Sequence, residues 1–118
     1  MNAFDMEKRA VGLLAAFMGG WLLNAALPVK TLFEKPHARV VETTYLPGVA
    51  REAGVRESDQ VIVFVDECAY ERKDPVTGEL TIRKRAAGET IWHDKGEAAP
   101  QLKNVGTKPY RTITVELK

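Results

Sequence analysis

Gln60-Val61-Ile62-Val63-Phe64-Val65 is a run in which five of six residues are Val, Ile or Phe. β-Branched and aromatic side chains of this density favour a pleated strand. Val61, Val63 and Val65 point one way, and Ile62 and Phe64 the other. Apolar residues on both faces predict a strand covered on both sides.

The chain after this run reads the same way. Asp66 to Arg72 continues extended. Asp74-Pro75-Val76-Thr77-Gly78 is a hairpin turn, because Pro fixes φ early and Gly permits a positive φ late. Leu80 to Arg85 pairs back, Ala86-Ala87-Gly88-Glu89 turns the chain, and Thr90 to His93 is short and extended. Asp94 to Ala99 reads as a polar loop and Gln101 to Lys103 as a brief strand, ended by Asn104-Val105-Gly106. In Tyr110 to Leu117, Ile113 and Val115 alternate with Thr112, Thr114 and Glu116, the period of a strand. Upstream, His37 to Leu46 is rich in Val, Thr and Tyr and reads as a strand, closed by the turn signal Pro47-Gly48. Val49 to Asp59 reads as a loop or weak strand, and Val29 to Pro36 as a linker. Short strands at this spacing predict an all-β sandwich or barrel.

The whole chain has 118 residues, enough for one domain with an appendage. A content of 45% hydrophobic and 28% charged residues is that of a globular protein. The net charge of +1 gives no overall field to attract nucleic acid. The single cysteine, Cys68, excludes an internal disulfide framework and a cysteine-rich zinc site.

The appendage is residues 1–29. Ala10 to Leu27 is apolar, interrupted only by Asn24 and preceded by Lys8-Arg9. As a helix this stretch spans about 27 Å, close to the thickness of a bilayer core. A signal peptide and a retained membrane anchor both fit, and a helix packed on the following domain is the remaining reading. Lys8-Arg9 favours a cytoplasmic N-terminus. Lys30 and Lys35 on the other side weaken that preference. The expectation is a periplasmic or extracytoplasmic β-domain over 30–118, with residues 10–27 touching the membrane if they are kept.

From about Phe33 to Lys118 the order of elements resembles a small single-domain cupin, an antiparallel jelly-roll barrel with two motifs. Pro47-Gly48 is similar to the first. Ala87-Gly88-Glu89, Trp92, Asn104-Val105-Gly106 and the last strand through Val115-Glu116-Leu117-Lys118 are similar to the second. The resemblance implies where a metal would sit: His-x-His falls on Gly54 and Arg56, the acidic ligand on Gln60, and the last His on Pro100. Of these only Gln60 offers an oxygen, against about three strong ligands at a usual catalytic site. The expectation is a barrel with no metal, no cofactor and no catalytic residues.

Arg56, standing at a ligand-histidine position, is the sharpest candidate. Pointing inward, it needs an anionic partner, either Glu57 or Glu97 or a carboxylate or phosphate ligand gripped by its fork. Trp92 and His93 are neighbours on a strand, so one of them faces the interior. The sequence therefore predicts a non-catalytic domain binding a small anion through Arg56, Gln60 and Trp92 or His93, or else binding a protein partner. The alternative is a metal-dependent enzyme with displaced ligands drawn from His93, Asp94, Glu97 and Gln60. A homodimer through exposed sheet edges is a further expectation. His37 and the cluster Arg83-Lys84-Arg85 read as solvated surface. Cys68 reads as a packed strand residue, and no Ser-His or Cys-His pairing is suggested.

Overall fold

The computed structural model describes residues 27–118, so the helix expected before residue 27 and its signal or anchor role lie outside the described residues. The described chain forms eleven strands and no helix. They are β1 Val29–Lys35, β2 Ala38–Tyr45, β3 Ala50–Arg51, β4 Gly54–Val55, β5 Asp59–Phe64 and β6 Cys68–Lys73. Then follow β7 Leu80–Arg85, β8 Thr90–His93, β9 Ala98–Ala99, β10 Gln101–Asn104 and β11 Tyr110–Leu117.

A five-stranded sheet has the order β1-β2-β11-β5-β8, a four-stranded sheet the order β3-β10-β6-β7, and β9 and β4 form a small ribbon. Every strand pair is antiparallel. The all-β expectation holds, but the pairing divides into separate sheets instead of one closed barrel.

Three local expectations change. Val29 to Pro36 is not a linker: Val29–Lys35 is an edge strand on β2, with a register shift between Thr31 and Phe33. Asp66 does not continue the strand, because the chain bends at Val65 and Asp66 before β6 starts the other sheet. The polar stretches 49–59 and 94–99 carry three two-residue strands, too short for any side-chain period to show.

The inner face of β5 is Gln60, Ile62 and Phe64, all buried. Ile62 and Phe64 join Tyr45, Tyr70 and Tyr110 in the core, where the Tyr45 and Tyr110 rings stack with centroids 4.7 Å apart. The outer face of β5 is half-buried. There Phe33, Val40, Val115, Val61 and Trp92 are in register across the five strands. This row covers each β-branched residue with its cross-strand neighbours. The hairpin turn is as expected: Asp74 Oδ1 accepts from the Val76 and Thr77 N–H groups, and Gly78 takes φ +76°.

Asn104 fastens the two sheets together. Its Nδ2 donates to the Tyr45 and Lys108 carbonyls, both at 2.8 Å, and its Oδ1 accepts from Gly106 N–H. The carbonyl of Asn104 accepts from Gly48 N–H at 2.9 Å. The two turn motifs seen in the sequence thus meet at one buried amide.

Candidate functional site

Arg51 lies on β3 opposite Leu102 of β10. Its Nη1 donates to the Tyr45 hydroxyl at 3.3 Å and its Nη2 to the Pro100 carbonyl. Arg56 follows β4 and is held at its backbone by the 94–97 turn. Its N–H donates to the Glu97 carbonyl at 2.9 Å, and its own carbonyl accepts from Gly96 N–H at 2.8 Å. This grip sends the side chain inward, where it is only 8% exposed. Nη1 of Arg56 then donates to Gln60 Oε1 at 2.9 Å.

Neither guanidinium meets a carboxylate in any ion pair among the described residues. The Nε atoms of both are buried without a hydrogen-bond partner. Burial, and then the neighbouring Arg51 charge, push the pKa of Arg56 down, against the pull of Glu97. A buried charge without a counter-ion is costly, and proteins generally supply one.

The two arginines stand between two cavities. One, of about 570 Å³, opens between β1, β2, β5 and β11. The other, of about 210 Å³, lies between the sheets over the tyrosine cluster. Arg51, Arg56, Tyr45, Ile62 and Thr112 line both. His93 lines the inner cavity, and its Nδ1 lies 2.8 Å from Glu97 Oε1. The His93 contact, and then the Asp94 N–H, hold the Glu97 carboxyl below its usual range. Trp92 takes the other face. It is 50% exposed on the outside of the sheet, and its Nε1 donates to Asp94 Oδ1 at 2.8 Å. The structure therefore brings Arg56, Gln60 and His93 together and leaves Trp92 out.

Sequence reasoning missed Arg51 and misread part of the basic cluster. Arg51 sits on a two-residue strand, where no alternation could mark it. Arg83 and Arg85 both line the inner cavity, but Arg83 is exposed and only Arg85 is half-buried, so the solvated reading fails for Arg85 alone. Arg85 donates to the Tyr70 hydroxyl and to Glu89 Oε2, and its guanidinium lies 5.4 Å from the Phe64 ring centre. The signal was present: in Arg83-Lys84-Arg85 the two arginines share a strand face and the lysine takes the other.

No family model matches the chain, and no curated protein does. Solved structures do. A cupin domain from Bordetella pertussis superposes with a TM-score of 0.69 at 14% identity, covering 78% of this chain and 93% of its own. The fold is that of a cupin domain. A double-stranded β-helix protein from Klebsiella pneumoniae gives a TM-score of 0.60 at 21% identity, covering 80% of this chain and 78% of its own. A polyketide cyclase from Streptomyces resistomycificus gives a TM-score of 0.60 at 16% identity, covering 75% and 63%. Cupin-fold neighbours thus range from uncharacterised proteins to an enzyme, and at these identities they establish the fold alone.

Cupin domains often hold a metal, and the residues here do not fit one. Gln60 Oε1 is engaged by Arg56, whose positive charge would repel a cation at the same place. Of the displaced ligands considered, Asp94 bonds Trp92 on the outer face while His93 and Glu97 bond each other. Among the described residues no three His, Cys, Asp or Glu side chains converge. Nucleophilic chemistry has no better support at Cys68, whose thiol burial pushes up to about 11.

Proposed function

We propose that this cupin domain is a non-catalytic binding module, exported as its N-terminal sequence suggests, that takes a small anion between Arg51 and Arg56. The observation that carries this reading is a buried Arg56 and a half-buried Arg51, each with an unpartnered Nε and neither with a carboxylate partner, beside a sizeable cavity. A planar fork with unfilled donors is the arrangement that grips a carboxylate or phosphate. Gln60 keeps the Arg56 fork aimed, and the His93–Glu97 pair fixes the turn that holds its backbone.

The test is thermal unfolding of the full chain with carboxylates and with phosphate, beside Arg56→Ala. Stabilisation that disappears in the variant is the expected result. If no such anion raises the wild-type midpoint, only the interaction role remains.

One observation favours that second role. All seven residues of β1 are exposed, Phe33 at 56%, and β1 pairs only with β2 among the described residues. An edge left open among the described residues is a template for a second copy. Sedimentation over a range of concentrations checks it, and a monomer throughout would exclude the homodimer.

A further inference from the structure

The larger cavity has an apolar floor. Val41, Thr114 and Ile62 are in register on three adjacent strands, a row about 10 Å long at the usual strand spacing. Val41 and Ile62 are 4% and 8% exposed, and Val29 extends the lining toward solvent. The charges around this floor are unevenly distributed. Arg39 and Glu116 neutralise each other, with Nε 3.0 Å from Oε1. Glu52 also lines the cavity. Arg51 and Arg56 then stand against the one carboxylate of Glu52, which lines the same end of the cavity, and this leaves an excess of one positive charge beside the apolar trough, enough for one anionic head and not two.

We propose that the ligand is an amphipathic monocarboxylate. Its head would lie between Arg51 and Arg56 and its apolar body along Val41, Thr114 and Ile62 toward Val29. This rests on the anion reading above and adds the class of molecule. A cavity of several hundred cubic ångströms with mainly apolar walls and a few convergent polar groups is the usual form of a small-molecule site. The head supplies the charge that the guanidiniums lack, and the body removes the trough from water.

Calorimetric titration of the full chain tests it, with acetate, butanoate, hexanoate and octanoate as probes below any micellar concentration. Octan-1-ol, succinate and phosphate are the comparators. Affinity is expected to rise by up to about fourfold for each added methylene. Octan-1-ol, succinate and phosphate should each bind at least tenfold more weakly than octanoate. Arg56→Ala should abolish octanoate binding. Val29→Asp, at an exposed lining position, should weaken octanoate and leave acetate unchanged. Affinity flat with chain length, or succinate or phosphate matching octanoate, would overturn the amphipathic ligand and leave the anion reading standing. Octanoate binding unchanged by Arg56→Ala, or no binding by any anion, would overturn both.

Discussion

Arg56 carries a charge that no carboxylate among the described residues neutralises, and Arg51 beside it makes matters worse. Such a residue costs stability when nothing is bound. Arg56→Met keeps the volume and removes the charge. In anion-free buffer it should raise stability by about 1 kcal/mol, a shift of roughly 4–8 °C in the midpoint of a domain this size. A lowered midpoint would mean that the buried bond to Gln60 outweighs the cost of the unpaired charge. Asn104 is the opposite kind of residue, with both ends of its amide used. Asn104→Ala should cost about 3 kcal/mol in denaturant unfolding, near 1 kcal/mol for each of three hydrogen bonds. Asn104→Asp should be no milder despite its shape, because it turns an oxygen toward the Tyr45 and Lys108 carbonyls. If Asn104→Asp unfolds like wild type, the amide is not what joins the two turn motifs.

Among the elements, the bend between β5 and β6 carries the chain from one sheet to the other. Asp66 pins it to β11, accepting from Arg111 N–H at 2.9 Å and from Nε and Nη2 of the same residue, each at 3.1 Å. The Arg111 side chain, chiefly, holds the Asp66 carboxyl below its ordinary value. The native state therefore binds fewer protons here than the unfolded chain, so stability rises with pH. Its contribution is present above the unfolded value near 3.9 and is lost as pH falls through the lower native value. Asp66→Asn should flatten the acid limb of the midpoint-against-pH curve, and an unchanged limb would place acid sensitivity elsewhere. Strands with a clear period, such as Tyr110–Leu117, were legible in the sequence, as was the turn at Gly78. The bend at Asp66 was not, since what makes it is a partner 45 residues away. Val29–Lys35 was hidden for a related reason: an edge strand exposed along its length shows no burial alternation.

At the scale of the molecule, the order of turns and strands was enough to expect a cupin-like frame, and the superposition on cupin domains agrees. The site was legible only in part. Arg56 and Gln60 stood out because a known frame assigns their positions a different chemistry. Arg51 and Arg85 turn toward the inner cavity through sheet register that composition does not reveal. The anion proposed between Arg51 and Arg56 would occupy the part of the interior where the cupin resemblance places metal ligands. A crystal structure of the full chain grown with hexanoate tests it most directly. The expected result is density between Arg51 and Arg56, with carboxylate oxygens within hydrogen-bond reach of both guanidiniums. A cation bound there, or both guanidiniums already seated on carboxylates of the chain itself, would contradict it.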